Sequence, residues 1–132
     1  MRRIILLLAF FIIAFNSISA AMSDDDAKEY LKGCEIYSDE PTPVFLGIIE
    51  GKHELDSIFN RHGTYGNENS VYSIWNDRGL YGNKYSLFSA RNKRTLTPPY
   101  IVKDGVRVGR LTRNKSLKDG ISPYLVMELF DD

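Results

Sequence analysis

Asn60, Asn76 and Asn92 recur every sixteen residues, a spacing that would set equivalent amides in a row. Such a row could hydrogen-bond a repeating ligand such as a glycan. Asparagine also bonds its own backbone in turns, so the same three residues can serve as scaffold. Tyr65 and Tyr81 repeat at the same interval, and Trp75 lies between them. These rings could stack on sugars or fill a core. Arg107 and Arg110, followed by Arg113 and Lys115, could grip the phosphates of an anionic polymer; on an edge strand such charge also blocks aggregation.

Other chemistry finds less support. His53 and His62 are the two histidines, nine residues apart and off any shared helical face, so no metal site is expected. Cys34 is the lone cysteine, which excludes an internal disulfide, and no nucleophile signature surrounds it. Glu50, Glu54 and Asp56 allow a paired-carboxylate hydrolase to be drawn, an alternative that any acidic turn would offer. Gly63-Thr64-Tyr65-Gly66 lacks the lysine and preceding strand of a phosphate loop. No cofactor is expected, and no specific nucleic-acid partner.

The elements that must position these residues begin with a leader. Met1-Arg2-Arg3, the apolar run from Ile4 to Phe15 and the small residues Ser19-Ala20-Ala21 read as a signal peptide cleaved after Ala21. Localisation is then periplasmic or secreted, with membrane contact ending when the leader is removed. Residues 22–132 form one domain. Loss of Arg2 and Arg3 leaves 15 basic and 17 acidic residues, unevenly placed. Residues 22–56 hold ten acids and three bases, whereas residues 84–118 hold ten bases and one acid. The two halves can screen each other, or the basic half can face an anionic partner.

The expected fold class is α+β: a small antiparallel sheet made of a strand at 44–49 and a hairpin at 99–112, with a helix near each terminus and short helix-turn repeats. Ser23 or Asp24 caps a helix over residues 25–34 whose buried stripe is Ala27, Tyr30, Leu31 and Cys34. Residues 37–43 are irregular, broken by Pro41 and Pro43. Asp104-Gly105 between alternating apolar runs is a two-residue hairpin turn. Ser122-Pro123 opens a C-terminal helix with Tyr124, Leu125, Glu128 and Leu129 on one face.

Between them lies a tandem repeat. Residues 57–70 laid over 73–86 match at eight of fourteen positions. The units are 57–72, 73–88 and a remnant at 89–98. Ser70 and Ser86 suit helix N-caps, Val71, Ile74 and Trp75 have helical spacing, and Gly79 suits a C-cap, so each unit is expected to hold one or two helical turns.

Ser57-Ile58-Phe59-Asn60, Gly63-x-Tyr65-Gly66, Ser73-Ile74-Trp75-Asn76, Gly79-x-Tyr81-Gly82-Asn83 and Pro98-Pro99-x-Ile101-Val102 with Asp104-Gly105 resemble a group of small secreted bacterial proteins. Phe45-Leu46-Gly47 also fits their pattern, although Ile48, Ile49 and Glu50 replace the cysteines expected after it. The resemblance covers about residues 45–112. It implies an exported bacterial protein and no activity. Together these features lead to the expectation of a non-enzymatic binding or accessory protein of the cell envelope or extracellular space, with an anionic polymer or glycan as partner.

Overall fold

A computed structural model describes residues 22–131. The expected leader and its expected cleavage site at Ala21 lie outside the described residues. The described residues form a small α+β fold of two short helices and a five-stranded mixed sheet. Helix α1 (Asp24–Leu31) starts where Ser23 Oγ accepts the Asp26 N–H, with three aspartates in the first turn at the positive end of the helix dipole. It buries Ala27 and Leu31, with Cys34 just beyond, and leaves Tyr30 half-buried. Helix α2 (Pro123–Leu129) opens on the Ser122 cap with Pro123 in its first turn. Its buried face is Pro123, Val126 and Leu129, followed by Phe130; Glu128, expected on that face, is exposed. None of the helices among the described residues is long and apolar enough to cross a membrane.

The sheet is larger than a strand and a hairpin. Strands β1 (Glu35–Tyr37), β2 (Phe45–Ile48), β3 (Tyr100–Lys103), β4 (Val106–Leu111) and β5 (Gly120–Ile121) lie in the order β2-β1-β3-β4-β5. The expected strand at 44–49 is therefore an edge, and β1 separates it from the hairpin. The irregular stretch begins only after Tyr37. Pairing is antiparallel except between β4 and β5, which run parallel. At the hairpin turn Asp104 and Gly105 both have positive φ, 51° and 80°, as a type I′ turn requires. Ile101 pairs with Gly109 and Val102 with Arg107, so Val108 is bulged out of register. The bulge moves the buried face to Ile101, Gly109 and Leu111, and leaves Val106 exposed.

The repeats contain no helix. They are a chain of β-turns, one every three residues. The N–H groups of Asn60, Gly63, Ser70, Ser73, Asn76, Gly79, Ser86, Ser89 and Asn92 each donate to the carbonyl three residues back, at 2.9–3.4 Å. At the Ser and Asn corners the side chain accepts the N–H two residues on: Ser57 from Phe59, Asn60 from His62, Ser73 from Trp75, Asn76 from Arg78. These recurring side-chain acceptors capture donors that an α-helix would need. The apolar residues confirm the mismatch: Val71 is 65% exposed and Ile74 fully buried, although a helix would put both on one face.

The turns also explain the period. Five steps of three residues make fifteen. Gly63 and Gly79 accept twice, from the N–H groups three and four residues on (Gly66 and Asn67, Gly82 and Asn83), and so add the sixteenth. Each coil thereby returns to the same angular position. Ile58, Ile74 and Ala90 all point inward into the single core that also holds Leu31, Ile36, Leu46, Ile101 and Leu111. The first coil is tied to β2, because Ile48 donates to Asp56 and Ile58 donates to Ile48, both at 2.9 Å.

Candidate functional site

The asparagine row is scaffold. Each Oδ1 accepts the N–H two residues later, from His62, Arg78 and Arg94. Each Nδ2 donates to the carbonyl six residues earlier, Glu54, Ser70 and Ser86, at 2.9–3.0 Å. Asn60 and Asn76 thus close one turn onto the one before, and their amides already serve the turn backbone.

The aromatic candidates also face protein. Tyr65 lies edge-on to Phe45, with centroids 5.0 Å apart, and against Tyr72. Trp75 belongs to a stack between the array and α2. Phe59 contacts Phe130 and Trp75, Trp75 contacts Tyr124 at 5.6 Å, and the Trp75 indole donates to the Ile58 carbonyl at 2.7 Å. The third coil places Arg91 at the equivalent position, over the Trp75 ring. Tyr81 is buried, and its hydroxyl donates to Glu40 at 2.6 Å. Burial, and secondly this bond to a carboxylate, push its phenol up to about 12.

The raised Tyr81 pKa fixes the sign of an alkaline effect. The neutral phenol is favoured in the fold, so its contribution is whole below the unfolded value of 10.0 and is lost as pH rises through about 12. Urea midpoints should fall between those pH values, and less steeply in Tyr81→Phe. Tyr30, Tyr37 and Tyr65 are shifted the same way, so part of the fall persists. An unchanged slope in Tyr81→Phe would show that Tyr81 is neither buried nor bonded to Glu40 as described.

The expected basic hairpin divides into parts. Arg107 and Arg110 both lie over the Tyr100 ring, with guanidinium carbons 3.7 and 4.4 Å from its centroid. Arg107 is exposed. Arg110 is a tie: it donates to Asp39 at 3.2 Å, to the Leu96 and Pro98 carbonyls and to the Tyr100 hydroxyl. Arg113 sits over the Tyr124 ring. Of the seven candidates, Arg107 alone is an exposed residue, and its guanidinium lies on the Tyr100 ring.

What the array does expose is a basic edge. The two residues after each corner asparagine occupy equivalent places in successive coils. They are Arg61 and His62, then Asp77 and Arg78, then Lys93 and Arg94, and all are exposed. Asp77 is bound by Arg91, which also donates to the Trp75 and Gly82 carbonyls. Arg61, Arg78, Lys93 and Arg94 form no ion pair among the described residues.

The edge continues beyond the repeat. Residues 112–117 repeat the turn chemistry: Thr112 accepts from Asn114, Asn114 from Ser116, and Leu117 donates to Asn114 three residues back. This segment stacks on the third coil through Arg113 N–H to the Ala90 carbonyl and Asn114 Nδ2 to the Thr95 carbonyl. Asn114 matches Asn92, so Lys115 follows a corner as Lys93 does, and it too is exposed. The signal was in the sequence, since Arg91-Asn92-Lys93 returns as Arg113-Asn114-Lys115. Over residues 57–97 six basic residues face two acids, Glu68 and Asp77.

Glu54 and Asp56 are exposed, and Glu50 is half-buried. Glu50 and Glu54 enter the scaffold through their carbonyls, which accept from Ser57 and Asn60. Among the described residues no group of three His, Cys, Asp or Glu could hold a metal ion. The Cys34 thiol is buried, which pushes it up to about 11. Comparison with protein-family models, curated proteins and solved structures finds no match to the chain.

Proposed function

We propose that this chain is an exported binding or accessory protein of the bacterial cell envelope or extracellular space, and that the array's basic edge is its contact surface for an anionic partner. The observation that carries the reading is the edge itself. Arg61 and Lys93 share one place in successive coils and Arg78 and Arg94 share the next, all exposed and without ion pairs among the described residues, and the one acid among them is held by Arg91. A regular row of cations raises the local concentration of a polyanion and releases its counterions on binding. Export is supported by the leader-like Met1–Ala21 segment and by the resemblance of the repeat to small secreted bacterial proteins.

The test is the salt dependence of binding to inorganic polyphosphate by residues 22–132. Binding should be measurable at low salt and should weaken as salt rises. Lys93→Ser with Arg94→Ser should flatten the salt slope, by about one unit for each phosphate that the variant no longer neutralises. Absence of binding at low salt, or an unchanged slope in the double variant, would remove the basic edge from the function.

A further inference from the structure

The basic edge adjoins apolar residues that the fold does not use. Gly79 and Thr95 follow Arg78 and Arg94, and immediately after them come Leu80 and Leu96, 47% and 67% exposed. Both leucines enter the scaffold only through their carbonyls, which accept from Ser86 and Arg110. Their side chains lie outside the core that holds Ile58, Ile74 and Ala90. One coil further along the same row stands Thr64.

A soluble polyanion rewards the cations and gives the leucines nothing. An anionic bilayer rewards both. Basic residues gain at the negative surface, and aliphatic side chains gain by entering the boundary between headgroups and acyl chains. The array also holds these side chains on rigid, closely bonded turns, so little conformational entropy would be lost on docking.

We infer that the corner of the array carrying Arg61, Arg78, Lys93 and Arg94, with Leu80 and Leu96 beside it, is a docking surface for a bilayer rich in anionic phospholipid. Charge complementarity together with the exposed Leu80 and Leu96 selects this occupant. The edge is positive, its single acid is neutralised by Arg91, and anionic headgroups are the matching sign. The inference rests on the proposed function and names the partner for the same surface. It extends membrane contact beyond the leader to the folded domain.

The experiment is co-sedimentation of residues 22–132 with large vesicles of phosphatidylcholine alone, or of phosphatidylcholine with phosphatidylglycerol, alongside polyphosphate binding. The protein should partition onto the anionic vesicles and not onto the neutral ones. Lys93→Ser with Arg94→Ser should weaken that partition by roughly thirtyfold, from the usual gain per basic residue at an anionic surface. Leu80→Ser with Leu96→Ser should weaken it by about tenfold or more while leaving polyphosphate binding unchanged. Polyphosphate binding without vesicle binding would overturn the bilayer inference and leave the anionic-partner reading standing. Loss of both would overturn both. Vesicle binding indifferent to the leucine pair, or concentration-dependent self-association abolished by that pair, would also overturn the inference, the latter in favour of a second copy of the chain.

Discussion

Gly82→Ala is expected to cost on the order of 4 kcal/mol in a urea unfolding experiment, enough to leave a domain of this size marginal. The reason is space. A Cβ at Gly82 would meet the Asn76 N and the Ile74 carbonyl oxygen at 2.7 Å, with the Asn76 carbonyl oxygen nearer still. All three are backbone atoms of the coil's inner corner, so nothing flexible can yield. Gly66 occupies the equivalent place against Asn60. Gly51→Ala is the control: a Cβ there meets nothing within 4 Å, and the effect should stay within about 0.5 kcal/mol. Equal midpoints for the two variants would mean that the turn does not close on Asn76 as described.

Trp75→Ala should cost about 3 kcal/mol. The substitution empties the middle of the Phe130–Phe59–Trp75–Tyr124 stack and leaves the Ile58 carbonyl without its indole donor. It also removes the ring beneath Arg91, the residue that holds Asp77. Trp75→Phe keeps most of the stacking and loses the N–H, so about 1 kcal/mol is expected. Trp75 is the sole tryptophan, so unfolding of the alanine variant must be followed by circular dichroism. A platform for sugars would behave otherwise, with stability nearly unchanged and ligand binding lost. Full stability in Trp75→Ala would show that the stack does not join the array to α2.

Both effects arise from the way the array is built. The array lacks the continuous hydrogen bonding of a helix or a sheet interior, and its rigidity comes from side chains bonded to backbone. Ser and Asn at the corners supply acceptors, glycines permit the close approach, and an inward Ile, Ile, Ala column supplies burial. Function, on the proposed reading, falls to positions that the scaffold leaves free. Those are the residues just after the corner asparagines, and the asparagines themselves are occupied.

Several features were legible because their causes are short-range. Ser23 and Ser122 cap helices, since a cap needs only a hydroxyl two or three residues ahead of an N–H. Asp104-Gly105 turns the hairpin because both residues tolerate positive φ. The sixteen-residue repeat was legible as a repeat, but its local structure was not. Val71, Ile74 and Trp75 match a helical template by spacing. The stronger signal is Ser, Asn or Gly at 57, 60, 63, 67, 70, 73, 76 and 79, a three-residue step within the longer period.

The amino-acid sequence by itself determined the caps, the hairpin turn, the repeat period and the excess of basic residues in the second half. Tertiary structure alone decided where those bases and aromatics point. β1 forms because Glu35, Ile36 and Tyr37 pair with Val102, Ile101 and Tyr100 far along the chain, and no local signal announces that pairing. β5 runs parallel to β4 because residues 112–117 first complete a coil over Ala90 and Thr95. Tyr81 becomes a buried donor only because Glu40 is brought to it. Capping, turn chemistry and periodicity act over two to four residues and can be read along the chain, whereas burial and partner choice depend on which distant backbone groups satisfy one another after the coils have stacked.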